Sequence, residues 1–264
     1  KAEFNRYTFR LNSDHNLKTW LNLGNRLSYS HVKQSGIQED SEFGAVLNSA
    51  ILMDPVTPVI YTGALSTRAQ NALDNGSPLV KNDNGDYYGV SDYVINEIAN
   101  PLAQIQITKN RNVRDEIAGN FFMEIEPLKG LKFTSRYGIN VNFNANHSWN
   151  PTYWFTGQRL NTSASVSDFY DNSFGWQWEN FINYERKWGN HSFNLLGGMS
   201  SLKNTYKTLS GSSSGMFREE EKFAYHNFTP DDVDRIAGYE VSSSMASYYA
   251  RLSYDFSGKY LLNA

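Results

Sequence analysis

Any chemistry in this chain has to come from carboxylates, imidazoles and hydroxyls, because its 264 residues contain no cysteine. That excludes a thiolate zinc site, a cysteine nucleophile and a disulfide scaffold together. His15, His31, His147, His191 and His226 show no His-x-x-x-His spacing and read as turn or loop residues, not metal ligands. Glu124 and Glu126 share one strand face at i and i+2, which a wet wall accommodates without any acid–base role. Asp83-Asn84-Gly85-Asp86 offers oxygen ligands but lacks the spacing and terminal Glu of a calcium loop, so it reads as a hairpin turn. Ser210-Gly211-Ser212-Ser213-Ser214-Gly215 lacks the strand-to-helix setting of a nucleophile elbow or phosphate loop and reads as a loop tip. No catalytic residue, metal site or cofactor is expected.

Binding is the chemistry that remains. Trp149, Tyr153, Trp154 and Phe155 bring flat aromatic faces together as a candidate ligand-binding set for sugar rings or peptide side chains. The same four residues would equally pack a loop onto its neighbours. A net charge of -3 leaves no cationic footprint, so no nucleic-acid partner is expected.

The elements that carry these residues alternate with period two. Leu131, Phe133, Tyr137, Ile139, Val141 and Phe143 fall on one face; Lys132, Thr134, Arg136, Asn140, Asn142 and Asn144 fall on the other. Pro127-Leu128-Lys129-Gly130 reverses the chain between this strand and the one before it. Hairpins with the same two-faced pattern are expected at about 6–31, 117–144, 174–201 and 246–264. Between them lie long excursions at about 32–114, 145–172 and 202–240, too long for ordinary connections. Within the first, Ser41 to Met53 has helical spacing behind a Ser cap, with Phe43, Val46, Leu47, Ala50 and Ile51 as its apolar face. Within the third, Thr229-Pro230-Asp231-Asp232 reads as a short helix start, with Thr as the cap.

Short turns alternate strictly with long excursions. A soluble sandwich has no need of that alternation, whereas a transmembrane barrel has strands of about 9 to 11 residues, short turns on one side and long loops on the other. The fold class is therefore all-β, a segment of an antiparallel transmembrane barrel with long extracellular loops. Phe133, Tyr137, Ile139, Val141, Trp176 and Trp178 are expected to face lipid, and Arg10, Arg26, Arg136 and Asn140 the lumen. Trp20, Tyr29, Tyr137, Trp176, Tyr184, Trp188, Tyr248, Tyr254 and Tyr260 lie near strand ends, where aromatic girdles meet headgroups. The competing class is a soluble or surface-attached β-rich glycan-binding module.

Four stretches also carry a likeness. Arg6 to Asn12, Asn48 to Pro58, Gly119 to Phe133 and Ser247 to Tyr254, in this order and with these gaps, resemble the SusC/RagA family of TonB-dependent outer-membrane transporters of Bacteroidetes. The resemblance implies a barrel of about 22 strands with a plugged lumen, of which about 7 to 8 strands are expected here. It implies import of oligosaccharides or peptides, energy from the TonB complex through parts of the protein outside this chain, and a SusD-like surface lipoprotein as lid. The plug domain is absent from the sequence, so a middle section of such a transporter is the expectation.

Overall fold

A computed structural model describes residues 3–37 and 45–264. The strands and helices, in chain order, begin with β1 (Glu3–Lys18) and β2 (Leu21–Ser35), then α1 (Val46–Leu52), α2 (Thr67–Asp74) and α3 (Pro101–Ile107). They continue with β3 (Lys109–Leu128), β4 (Leu131–Asn150), the short β5 (Tyr153–Thr156) and β6 (Arg159–Asn161), β7 (Ser165–Trp188) and β8 (His191–Ser214). Three single-turn 3-10 helices follow, at Glu221–Phe223, His226–Phe228 and Asp231–Val233, before β9 (Arg235–Phe256) and β10 (Tyr260–Asn263). One sheet of eight strands runs β1-β2-β3-β4-β7-β8-β9-β10, each neighbour antiparallel, while β5 and β6 pair with each other.

The strands outrun the expected span. β3 and β4 have 20 residues each and β7 and β8 have 24, against about 9 to 11 for a crossing strand. The reason is that ladder bonds need only backbone. Ser, Thr, Asn and Tyr continue to pair after the apolar alternation stops, as in Thr208 to Ser214 of β8. The connections shrink accordingly to 36–108, 151–164 and 215–234. Ser210 to Ser214, expected in a loop tip, are strand residues, and Gly215 turns the chain with φ 76°.

The tight turn after Leu128 forms as the sequence implies, and Gly130 is required twice over. Its φ is 85°, and a Cβ there would lie 2.2 Å from the carbonyl oxygen of Glu185. The Gly130 carbonyl in turn accepts from Glu185 N at 2.7 Å, tying this turn to the neighbouring hairpin.

Among the described residues no second layer packs on the sheet. Large side chains on one of its faces, such as Phe121, Tyr137, Trp178 and Ile182, are exposed. Among the described residues the packed cores lie in the connections. Tyr88, Ala99, Ala103 and Phe155 form one, and Ala164, Met216 and Ala224 form another. Within the first connection α1 begins at Val46 behind Ala45, which makes no side-chain cap; Ser41 and Phe43 lie outside the described residues. Its expected apolar face is reversed. Leu47, Ala50 and Ile51 are exposed and Ser49 is buried, because Gln104 of α3 donates to Ser49 Oγ at 2.7 Å. α2 and α3 were not anticipated, although Ser66 caps α2 through Ala69 N and Asn100 with Pro101 opens α3. At Thr229-Pro230 the helix is only one 3-10 turn; Thr229 donates to His226 O at 2.5 Å and does not cap.

Candidate functional site

Cross-strand register sorts the side chains onto two faces, since directly paired residues point the same way. Tyr137 pairs with Phe121 and Trp178, Ile139 with Gly119 and Trp176, Val141 with Ile117 and Phe174, and Phe133 with Ile125 and Ile182. The six residues expected to face lipid thus share one face. The Tyr137 and Trp176 rings stack at 6.3 Å, and Trp178 Nε1 donates to Ser135 Oγ at 3.1 Å, so the indole N–H is satisfied within the same face.

The other face is polar. Arg10 pairs with Ser28, Ser28 with Ala118 and Ala118 with Asn140, which places Arg10 and Asn140 in one row. Arg26 pairs with Asn120, and Arg136 with Phe122 and Glu179. All four residues expected in the lumen therefore lie together on this face. Arg26 Nη2 donates to both oxygens of Asp14 at 2.8 and 3.1 Å and its guanidinium lies 5.4 Å from the Phe122 ring centre. Arg136 and Glu179 form a looser pair at 3.7 Å.

At the centre of this face is a cavity of about 390 Å3, floored by Gly138 and Gly175 and lined by Asn120, Asn140, Gln177, Asn204, Arg136 and Glu179. A Cβ on Gly138 would sit in ordinary contact with Gly119 O at 3.7 Å and Gln177 O at 3.9 Å, whereas one on Gly175 would meet Asn204 Oδ1 at 2.4 Å. Along β4 the same face carries Asn140, Asn142, Asn144 and Asn146 in succession. Asn142 Nδ2 donates to Asn140 Oδ1 at 2.7 Å and to Ser173 Oγ at 3.1 Å, and Asn144 Nδ2 donates to Asp171 at 2.9 Å.

Trp149, Tyr153, Trp154 and Phe155 are not brought together as a platform. Trp149 packs on the Ala164, Met216 and Ala224 cluster, whereas Phe155, 4% exposed, lies with Tyr153 in the cluster around Ala99 and Ala103. The Trp154 backbone N–H donates to Pro78 O at 2.7 Å. Arg159 stacks over Phe155 at 5.3 Å and donates to Gln104 Oε1 and Glu97 O. Burial lowers the affinity of its guanidinium for the proton, against the stabilising influence of Tyr153 and Glu97.

Four of the five histidines are not turn or loop residues; the fifth, His226, lies in a one-turn 3-10 helix of the third connection. His15, His31, His147 and His191 lie in strands, and two of them face a carboxylate directly across a ladder. His31 Nδ1 is 2.8 Å from Asp115, which also accepts from Tyr29 OH at 2.7 Å. At the far end of the sheet His147 Nδ1 is 2.8 Å from Asp168 Oδ1, His226 Nε2 is 3.1 Å from Asp168 Oδ2, and His226 Nδ1 is 2.6 Å from Ser213 Oγ. This arrangement fastens the third connection to β4, β7 and β8. Residue spacing along the chain carries no sign of it; the register pairs His147 with Asp168 and makes it visible. Among the described residues no group of three or more His, Asp or Glu is arranged to hold a metal ion.

No known family profile matches the chain. In sequence it is 25% identical to TonB-dependent receptor P26 of Formosa agariphila over 97% of its length, and 27% identical to TonB-dependent receptor P39 of the same organism over 99%. In fold it superposes on the RagAB peptide importer in its closed-closed state over 99% of its length, with a TM-score of 0.71 and 16% identity. The chain is similar to TonB-dependent receptors in sequence and to RagAB in fold. It spans 23% and 22% of the length of the two receptors and 27% of the RagAB chain. Its eight-stranded antiparallel sheet fits a segment of a β-barrel; its relatives in sequence are TonB-dependent receptors and its neighbours in fold are RagAB peptide transporters. Among the described residues no helix is long and apolar enough to cross a membrane, which leaves open a crossing by strands.

Proposed function

We propose that this sheet is part of the wall of a transporter that imports oligosaccharides or peptides across the outer membrane. The two-faced register is the observation that carries the reading: one face is aromatic and aliphatic over successive rows, and the other is amide-rich and charged. Phe133, Tyr137, Ile139, Val141, Trp176 and Trp178 turn to lipid, and Arg10, Arg26, Arg136 and Asn140 line the lumen. The hairpins at about 6–31, 117–144, 174–201 and 246–264 act as one barrel section, with the excursions between them as extracellular loops.

Energy comes from the TonB complex through parts of the protein outside this chain, and a SusD-like lipoprotein covers the loops. RagAB, which this fold resembles, is a peptide importer, and that likeness supports this class of cargo here. Trp149, Tyr153, Trp154 and Phe155 shape those loops by packing, a reading supported by Tyr153 and Phe155 lying in one buried cluster and Trp149 against another.

The test is uptake by cells that carry the full-length gene as their only copy. Growth on a polymeric nutrient should be lost on its deletion and on disruption of the inner-membrane TonB complex. Uptake that persists without TonB, or full-length protein that stays monodisperse in water without detergent, overturns the reading and favours the soluble module.

A further inference from the structure

The face that carries Tyr137 changes character toward the strand ends away from the Gly130 turn. Phe9, Tyr29, Ile117, Val141 and Phe174 form one aromatic and aliphatic row, each paired with the next. The following row, Tyr7, His31, Asp115 and Phe143, is mixed, and in the next two Lys33 stands opposite Val113 and Arg111 opposite His147. Lys33 and Arg111 are exposed, and among the described residues no carboxylate or hydrogen-bond partner engages either side chain. They are diagonal neighbours across β2 and β3, with Cα atoms about 7–8 Å apart, so their long side chains can converge on one anion. We propose that Lys33 and Arg111 bind the phosphate of an anionic lipid headgroup in the outer leaflet. The proposal rests on this face turning to lipid, and adds a specific headgroup site at its upper edge.

Three observations converge on that ligand. The first is position. Rows follow one another at about 7 Å along a strand, so the two cations lie just beyond the exposed Phe9 and Tyr29, where acyl chains end and headgroups begin. The second is a ceiling. Further up the same face the third connection lies across the strands: Trp149 packs on Met216 and Ala224, Asp168 is 3.1 Å from His226 Nε2, and Lys109 Nζ is 3.8 Å from Glu221. Protein covers the face above the pair, which bounds the lipid layer there. The third is charge. Asp115, between the pair and the apolar row, accepts from Tyr29 OH at 2.7 Å and lies 2.8 Å from His31 Nδ1, and Glu3 accepts from Asn5 at 2.5 Å. Elsewhere on this face Lys207 is paired with Glu240 at 2.9 Å, and Lys203 stands apart, opposite Trp176. Lys33 and Arg111 thus offer an ammonium and a guanidinium fork together, a donor set suited to phosphate oxygens.

The test uses full-length protein in micelles that contain phosphatidylglycerol and phosphatidylcholine with matched chains in equal amounts. Native mass spectrometry counts the lipids that the protein retains. The phosphatidylcholine phosphate is already paired with its own ammonium, so phosphatidylglycerol should be retained at least about fivefold over it. Lys33→Gln with Arg111→Gln should bring that ratio to about one, while Lys33→Arg with Arg111→Lys should keep it. Lys203→Gln should leave the ratio unchanged. The Gln pair should unfold at the wild-type temperature, because both side chains are exposed. Equal retention of the two lipids by wild type overturns the proposal, as does a preference that survives the Gln pair. Displacement of phosphatidylglycerol by soluble glycerol phosphate overturns it also, leaving a site for free anions. Quenching of Trp176 and Trp178 by brominated acyl chains, judged against Trp176→Phe with Trp178→Phe, tests the lipid face separately. Quenching without a headgroup preference keeps the lipid face and removes the site; no quenching removes both.

Discussion

The sheet and the lobe formed by its first long connection are held together by opposite means. β7 and β8 pair along 24 residues, yet few side chains of the sheet are buried, so its order comes from the backbone ladder and from a surface that awaits other surroundings. The lobe is built from helices of 7 and 8 residues, too short to persist alone. What fixes it is a small buried cluster and a few polar side chains that each satisfy several partners. Asn100 donates to Val59 O and accepts from Leu102 N and Ala103 N, while the Arg68 side chain donates to Ser91 O and Val94 O. The sheet should therefore tolerate change on its wet face and fail on its apolar face; the lobe should fail wherever a buried contact is lost.

The largest effect is expected in the lobe. Phe155→Ala removes the aromatic ring that Tyr88, Ala99 and Ala103 enclose, at about 3–5 kcal/mol. Hydrogen exchange should accelerate across 59–107 and remain slow in β3, β4 and β7. If the sheet opens together with the lobe, the two regions are one cooperative unit and the contrast between them is broken.

In the sheet, Tyr137→Arg or Ile139→Arg places a cation on the apolar face and should cost about 2–4 kcal/mol of assembly near the midplane. Asn140→Arg, one residue along but on the polar face, should be mild. The folded fraction after refolding into bilayers measures all three. Equal tolerance would remove the assignment of faces, and a costly Asn140→Arg would reverse it.

The difference between the regions also explains what could be read from residues alone. Period two survives inspection because each strand carries its own record of burial, so Tyr137, Ile139 and Trp176 fall on one face without knowledge of their neighbours. Pairing past the apolar stretch leaves no such record, and the ends of β7 and β8 lay hidden in serine-rich sequence. In the lobe the determinants are tertiary. α1 buries Ser49 rather than Leu47 or Ile51 because of Gln104, 55 positions away. The cluster of His147, Asp168, Ser213 and His226 is likewise a product of register and of one returning loop. Asn100-Pro101 was the exception, a legible helix start overlooked in favour of the similar Thr229-Pro230, where only a 3-10 turn forms.

A smaller effect sharpens the comparison at a single helix end. Ser66 Oγ accepts from Ala69 N at 3.2 Å and Asp92 receives Thr67 N and Arg68 N at 3.0 and 2.8 Å, so two side chains share the start of α2. Ser66→Ala should cost about 1 kcal/mol, read as local loosening of α2 in hydrogen exchange. Loss of the whole lobe would mean that α2 nucleates it.

The last expected difference is a pH dependence confined to the lobe. Asp54 ties the end of α1 to the 91–94 segment. It accepts from Ser91 Oγ, from Thr57 Oγ1 and N at 2.8 Å each, and from Val56 N at 3.2 Å. Burial alone would raise its proton affinity, but these hydrogen bonds, led by the Ser91 hydroxyl, outweigh it and hold the carboxyl below the ordinary value. A depressed carboxyl stabilises the fold above its unfolded value, about 3.9, and that stabilisation is lost as pH falls through the lower folded value. Between pH 5 and pH 2 the lobe should therefore loosen, as read by hydrogen exchange corrected for intrinsic rates. Asp54→Asn should be looser at neutral pH and lack that step, since an amide accepts fewer of these bonds and does not titrate. The same acid step in the Asn variant would assign it to another carboxylate and leave Asp54 a neutral tether.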